Sequence, residues 1–180
     1  SLRRRAQILA RRPDLVVESL RGNVNTRLKK LDSGVVDATL LAFAGLKRLG
    51  QDHVVTEILS PETMLPAAAQ GAIGVECRRA DEQIISLLMP LNHSSTEIAV
   101  CAERALLAQL DGSCETPIAA LCTPDGVGGI TLSGLIAAPD GSKLIDGKIG
   151  GACVEAGKLG EELGTQLLAK ASSASLTIKR

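Results

Sequence analysis

The sequence predicts an α/β segment followed by a small α+β domain with a three-stranded antiparallel sheet and helices. In the first half, apolar runs at 15–20 and 38–43 alternate with helix-forming stretches at 2–12 and 25–31, an order typical of α/β layers with a parallel component. In the second half, two Pro-Asp-Gly turns separate three short apolar runs, which favours an antiparallel meander.

Local signals define the elements of the first half. The helix over 2–12 ends at a Pro-Asp pair. The run at 15–20 leads into a Gly-Asn turn signal, so it predicts a strand that delivers Arg21 to its carboxyl end. The run at 38–43 is almost continuously apolar and predicts a strand buried on both faces, with a turn and a short helix over 45–50 after it.

The second half begins at a predicted hinge. Small residues fill 65–71, between two periodic segments, which indicates a hinge or a domain crossing. The sequence then predicts, in order, a strand at 72–77, helices at 81–90 and 95–110, strands at 118–122, 130–136 and 143–149, and a closing helix at 154–171.

Charge and composition exclude several classes of function. Twenty basic and twenty acidic residues balance, so no overall field draws the chain to nucleic acid or to an anionic membrane. The longest apolar stretches are interrupted, for example at Asp37 and Pro90, and predict no membrane span. His53 and His93 lie far apart and form no ligand motif, so no metal site is expected.

Five cysteines in odd number, without CxxC spacing, argue against a disulfide framework and favour a reducing compartment. Cys114 lies in a loop between the predicted long helix and the first strand of the meander, where a thiol can be accessible as a nucleophile or covalent anchor. A buried, inert thiol is an equal alternative there. The other four, at 77, 101, 122 and 153, are expected to be small buried apolar residues.

Arginines are the second candidate site group, and they are concentrated in the first fifty residues. The forked guanidinium group suits bidentate capture of carboxylates, so a set at several element ends fits a polycarboxylate ligand. Solvated surface residues are the alternative, and spacing alone favours that alternative. The set comprises Arg3, Arg4, Arg21, Arg27 and Arg48.

Six motifs, in order and spacing, resemble porphobilinogen deaminase (hydroxymethylbilane synthase). The resemblance as a whole extends from Ser1 to beyond Gly141. The motifs are Ser1-Leu2-Arg3-Arg4; Arg21-Gly22-Asn23 with Thr26-Arg27-Leu28; Ala44-Gly45-Leu46-Lys47-Arg48-Leu49; Leu65-Pro66-Ala67 with Gln70-Gly71; Ala102-Glu103-Arg104; and Gly112-Ser113-Cys114 with Pro117-Ile118.

The resemblance implies a specific chemistry. The family condenses four porphobilinogen molecules head to tail, with loss of ammonia, on the way to haem and chlorophyll. The growing chain is held on a dipyrromethane cofactor, joined by a thioether to the cysteine that matches Cys114. Arginines matching Arg3, Arg4, Arg21 and Arg27 are expected to bind the cofactor's acetate and propionate groups. Arg21, Arg27 and Arg48 are expected to bind the substrate.

The resemblance also implies a division into domains. Residues 1–65 are expected to be the latter part of a second domain similar to periplasmic binding proteins. Residues 66–93 form a hinge and a segment that returns to the first domain, and residues 94–180 form a third, cofactor-attachment domain. The family's catalytic aspartate lies in an N-terminal domain that is expected to be mostly missing here, so no catalytic residue is predicted in this chain.

Two alternatives from other classes remain open at this point: a non-enzymatic anion-binding module, and a non-productive fragment. The expected partners are porphobilinogen, its oligomers and the missing N-terminal domain, with no nucleic acid or membrane. The complete enzyme is expected to be a cytoplasmic monomer, although a missing N-terminus leaves organellar targeting open.

Overall fold

The computed structural model describes residues 1–110 and 117–176. Its helices are α1 (Leu2–Arg11), α2 (Val24–Asp32), α3 (Phe43–Arg48), α4 (Glu82–Leu88), α5 (Ser94–Gln109) and α6 (Ala156–Ser173). Its strands are β1 (Ile118–Pro124), β2 (Gly129–Ala137) and β3 (Leu144–Ala152). The chain folds into two units: Val16–Ser60 with Ser1, and Leu2–Leu15 with Pro61–Arg180.

The first unit is built from short helices and irregular segments. The side chain of Asn23 caps α2 by accepting a hydrogen bond from the backbone N–H of Thr26 at 2.9 Å, which satisfies one of the unpaired amides of the first turn. Gln51 donates to the side-chain oxygen of Asn25 at 3.0 Å and so ties the segment after α3 to α2. Leu46 of α3 is the buried apolar residue of this unit.

The strands predicted at 15–20, 38–43 and 72–77 are not formed, and residues 1–110 contain no strand at all. A strand needs a hydrogen-bonded neighbour, and apolar composition specifies the side chains without specifying that neighbour. Val16 and Ile73 are 88% and 89% exposed, and the run at 38–43, predicted to be buried on both faces, is half-buried to exposed. The parallel component is therefore wrong for the described residues, and the likeness to periplasmic binding proteins stays a prediction.

The antiparallel meander is confirmed. β1 pairs with β2 in a register that places Ile118 opposite Ile136, and β2 pairs with β3 with Gly129 opposite Ala152. The first Pro-Asp-Gly turn is closed by the carboxylate of Asp125, which accepts from the N–H groups of Val127 and Gly129 at 2.8 and 2.9 Å. Such side-chain turns are the reason that this sequence signal is specific.

The core of the second unit lies between the sheet and the pair α5 and α6. Leu106, Leu132, Leu163 and Leu167 are fully buried there. The two helices approach closely because α6 has a glycine at position 160, where a Cβ would overlap the carbonyl oxygen of Ala102 on α5. Predicted helices at 95–110 and 154–171 are thus confirmed within two residues at each end.

Helix α1 packs on the other face of the sheet. Ala6 is fully buried in a small cluster with Ala119, Leu135 and Ala137. The second Pro-Asp-Gly turn lies against α1, since a Cβ at Gly141 (φ +74°) would come within 2.5 Å of the backbone nitrogen of Ala10. This packing fixes the helix that carries the first two predicted arginines.

No helix in the described part of the chain combines the length and the apolarity needed to cross a membrane. The predicted domain boundaries at 65/66 and 93/94 remain predictions. The division between the two units falls after Ser60, and it assigns α1 to the unit that contains the sheet.

Candidate functional site

The two ends of the segment that contains Cys114 are firmly anchored. α5 leads into Leu110, which is 1% exposed, and β1 is preceded by Pro117, which is also buried. The carbonyl of Pro117 accepts from the N–H of Ala137 on β2 at 3.0 Å. Cys114 itself lies outside the described residues. Its role as cofactor anchor therefore stays a prediction.

The predicted hinge crosses the edge of β1. Its residue Leu65 is bound at both backbone groups by one side chain, because Gln7 of α1 donates to the Leu65 carbonyl at 3.0 Å and accepts from the Leu65 N–H at 2.8 Å. The next carbonyl, that of Pro66, accepts from the N–H of Ala120 on β1 at 3.1 Å. The crossing segment, residues 65–69, is thus joined to both α1 and β1.

Glu103 of α5 completes this arrangement. Its carboxylate accepts from the N–H of Ala69 at 2.6 Å and from the N–H of Cys122 on β1 at 2.7 Å. Glu103 is only 5% exposed. One carboxylate therefore joins α5, β1 and the crossing segment.

Burial raises the pKa of Glu103 above its ordinary value, and the hydrogen bonds from Cys122 and Ala69 partly offset that rise. The ionised carboxylate thus carries a desolvation cost that its two donors do not fully repay. Ala69, one of the donors, has a φ of +57°, a left-handed conformation that costs a non-glycine residue roughly 1–2 kcal/mol. Surrounding contacts must hold such a residue in place.

Arg3 and Arg4 lie on α1, and both are half-buried. The helix packs through Ala6 against Ala119, two residues after the buried Pro117. Arg3 and Arg4 therefore lie on a helix that packs against β1 close to Pro117, the first described residue after the segment that contains Cys114.

The remaining predicted arginines belong to the first unit. Arg21 is exposed in the irregular segment before α2, rather than at the end of a strand. Arg27 is half-buried on α2, and its Nε donates to the carbonyl of Gly22 at 2.8 Å. The backbone carbonyl of Arg21 accepts a hydrogen bond from Nζ of Lys30 at 3.1 Å. The side chains of Arg27 and Lys30 therefore both bind the backbone at residues 21–22. Arg48 is exposed in the last turn of α3.

Acidic side chains of the described residues do not neutralise these three arginines. Across residues 1–110 and 117–176, ion pairs join Arg12 to Asp14, Arg78 to Asp81 and Lys158 to Glu155. None of these pairs involves an arginine of the first unit's predicted set. Within the described residues, the guanidinium groups of Arg21, Arg27 and Arg48 form no ion pair, although Nε of Arg27 is hydrogen-bonded to the Gly22 carbonyl.

The other cysteines differ from one another. Cys122 is buried as predicted, and burial, followed by the nearby charge of Glu103, raises the pKa of its thiol to about 11. Cys153 is half-buried, and its Sγ donates to the carbonyl of Gly129 at 3.4 Å. Cys77 and Cys101 are exposed, so the prediction that they are buried is wrong. Their apolar neighbours in sequence do not enclose them.

The second unit also has an open hollow of about 350 Å³ over the sheet, lined by Leu121, Thr131, Ser133 and Lys148 among others. The hollow includes none of the predicted site residues. The described residues also contain no group of three or more His, Cys, Asp or Glu side chains that could bind a metal ion.

Comparison with protein families gives two matches that together span most of the chain. Residues 1–86 match the model described as porphobilinogen deaminase, dipyromethane cofactor binding domain, and residues 97–169 match the model of the porphobilinogen deaminase C-terminal domain. The chain belongs to the porphobilinogen deaminase family. This membership implies a transferase of tetrapyrrole biosynthesis, with porphobilinogen as substrate and activity of the hydroxymethylbilane synthase type.

Sequence reasoning did not find the two buried polar side chains of the site, Gln7 and Glu103. A signal existed for Glu103, because it shares a helix face with Leu106 and Leu110, three and seven residues further on. A charged residue in an apolar stripe needs a buried partner. Nothing in the sequence identified that partner as backbone N–H groups.

Proposed function

We propose that this chain is the part of a hydroxymethylbilane synthase that holds the dipyrromethane cofactor and binds the carboxylates of the growing pyrrole chain. The observation that carries this proposal is the pair of family matches, the first of which is to a cofactor-binding domain. In this proposal Cys114 is the covalent anchor. The carboxylate that assists the loss of ammonia is supplied by another part of the enzyme.

The side chains present fit such a cofactor. A dipyrromethane with acetate and propionate groups needs several cationic partners, and carboxylates bind best to guanidinium groups in a bidentate manner. Arg21, Arg27 and Arg48 carry guanidinium groups that are not committed to ion pairs in the described residues. When bound, the cofactor supplies the covalent primer to which pyrrole units are added.

The residues of this chain act mainly by binding and orientation. We assign Arg3, Arg4, Arg21 and Arg27 to the carboxylates of the cofactor, and Arg21, Arg27 and Arg48 to those of the incoming substrate. The guanidinium group offers N–H donors in a fixed fork and no acceptor, so these residues bind anions by donating hydrogen bonds. Their contribution is to place reacting groups and to offset negative charge that would accumulate with each added unit.

Cys122 is a poor alternative anchor. A buried thiol whose pKa is raised to about 11 is almost entirely protonated at neutral pH, whereas thioether formation requires the more nucleophilic thiolate. Cys77 and Cys101 are exposed, so burial does not distinguish them from an anchor. The choice of Cys114 as the anchor rests on the Gly112-Ser113-Cys114 motif, which neither of them shares.

The test is porphobilinogen turnover by the complete enzyme with single substitutions Arg3→Leu, Arg4→Leu and Arg21→Leu. Loss of a hydrogen bond to a charged group is worth about 1.5–3 kcal/mol, so kcat/KM is expected to fall by roughly 10- to 150-fold. Consumption of porphobilinogen and formation of uroporphyrinogen are both followed.

The matched control is Arg12→Leu. Arg12 lies just after α1 and is already paired with Asp14 at 2.6 Å on the surface, so its removal is expected to leave turnover unchanged. Full activity in all three test variants would contradict the assignment of the arginines. Stoichiometric binding of porphobilinogen without any turnover would favour an anion-binding module instead.

A further inference from the structure

Glu103 is a buried charged group whose placement is not explained by the carboxylate-binding arginines. In the described residues the buried polar side chains are Gln7 and Glu103, each 5% exposed. Both bind the crossing segment: Gln7 binds Leu65, and Glu103 binds Ala69. The segment is therefore fixed at each end by a side chain from a different helix.

Glu103 also occupies the free edge of the sheet. Alternate N–H groups of a strand point to opposite sides, and those of Ala120 and Cys122 point away from β2. Ala120 donates to the carbonyl of Pro66, and Cys122 donates to the carboxylate of Glu103. The carboxylate thus takes the position that a backbone carbonyl of a fourth strand would have.

This placement connects the two anchored ends of the segment containing Cys114. Glu103 lies on α5, which leads to Leu110 at one end, and it binds β1, which begins just after Pro117 at the other. Through Ala69 it also fixes the segment whose Leu65 is bound by Gln7 of α1. Glu103 therefore joins the elements on both sides of residues 111–116, and α1, which carries Arg3 and Arg4, is joined to the same crossing segment through Gln7.

We infer that Glu103 is a positioning residue for cofactor attachment: its two hydrogen bonds hold α5, β1 and the crossing segment in the register at which the cysteine segment accepts the dipyrromethane. The inference rests on the proposed function. It goes beyond it by assigning a role to a residue that touches neither cofactor nor substrate.

A carboxylate is required at this position because both of its contacts are N–H donors. A glutamine of the same length has one oxygen and one NH2 group, so it can accept from one amide but directs a donor at the other. An aspartate keeps the charge and both acceptor atoms but is one methylene shorter. Each substitution therefore removes one link of the node while the rest of the side chain is kept.

The experiment measures cofactor loading directly. The complete enzyme is prepared without cofactor, mixed with porphobilinogen, and followed by intact mass for the gain of two linked pyrrole units. Glu103→Gln is expected to load at least about tenfold more slowly than the wild type, because misplacement of a reacting group by about 1 Å can cost 100-fold in rate. Amide hydrogen exchange should show loss of protection at Ala69 or Cys122.

Two control variants separate positioning from stability. Glu161→Gln makes the same change on the exposed face of α6, where the side chain has no described hydrogen bond, and should load at the wild-type rate. Leu167→Val weakens the fully buried core without touching the node, and at a temperature where it is folded it should also load normally. If Glu103→Gln does not fold, Glu103→Asp serves the same comparison.

Wild-type loading by the Glu103 variant would overturn the inference and leave the proposed function intact. An equal loss of loading in Leu167→Val would overturn it as well, because loading would then follow stability alone. If even the wild type gains no pyrrole mass at any cysteine, the proposed function fails and the inference fails with it.

Discussion

Replacing Gln7 by leucine is expected to weaken the attachment of α1 more than the change in side-chain size suggests. Leucine has a similar volume but no polar atoms. The N–H and the carbonyl of Leu65, which Gln7 now binds at 2.8 and 3.0 Å, would both lose their partners. A buried polar group without a partner costs about 1–3 kcal/mol.

The expected loss follows from the exposure of these groups. Gln7 is 5% exposed, but Leu65 is half-buried, so water can reach part of the freed backbone. The cost per group therefore falls toward the lower limit, and the sum is about 2–3 kcal/mol in the free energy of unfolding. For a domain of this size that corresponds to a decrease of about 4–12 °C in Tm.

Urea and thermal unfolding measure this loss, and hydrogen exchange at the Leu65 amide locates it. The control is Gln166→Leu on α6, where the side chain is exposed and makes only a 3.3 Å contact with Glu162. That variant is expected to stay within about 0.5 kcal/mol of the wild type. A Gln7→Leu protein as stable as the control would show that the buried amide does not hold α1 in place.

Three further predictions address packing, pH and reactivity. Gly160→Ala should lower the free energy of unfolding by about 1–3 kcal/mol, because the new methyl group overlaps α5. Gly157→Ala is the control: its Cβ would meet only the sulfur of Cys101 at 3.7 Å, so thermal unfolding should show a neutral or stabilising effect. Equal effects of the two substitutions would contradict the close approach of α5 and α6. Backbone hydrogen bonds lower the pKa of Asp125 below its ordinary value of 3.8, so the stability it contributes is present above that pH and is lost as the pH falls below it. The difference in stability between wild type and Asp125→Ala should therefore shrink in acid, and a difference independent of pH would refute the role of the ionised carboxylate. In the native protein at pH 8, iodoacetamide should modify the exposed Cys101 but not the buried Cys122, because the pKa of the Cys122 thiol is raised to about 11. Mass mapping that finds Cys122 alkylated before the protein is unfolded would contradict its burial.

The parts of the fold that the sequence predicted well are those determined by local interactions. Each Pro-Asp-Gly turn combines a preset φ, a side chain that binds the backbone and a glycine at positive φ, as at Gly126 and Gly141. The helices α5 and α6 follow from uninterrupted helix-forming composition between clear breaks. These signals do not depend on the rest of the chain.

The predictions that failed depended on partners distant in sequence. An apolar run such as 38–43 is compatible with a buried strand, but a strand exists only when another segment pairs with it. The same limit applies to the site. The arginine motifs were visible in the sequence, whereas the node at Glu103 depends on backbone N–H groups 34 and 19 residues away.

The central claim is that the cysteine at 114 carries the dipyrromethane, and the mass of the complete enzyme tests it most directly. Intact mass should exceed the sequence mass by two linked pyrrole units, and peptide mapping should place the adduct on Cys114. Cys114→Ser should abolish both the added mass and the colour that an aldehyde reagent produces with pyrroles, while substitutions of the exposed Cys77 and Cys101 should retain them. An adduct that maps to another cysteine, or that survives in Cys114→Ser, would contradict the account.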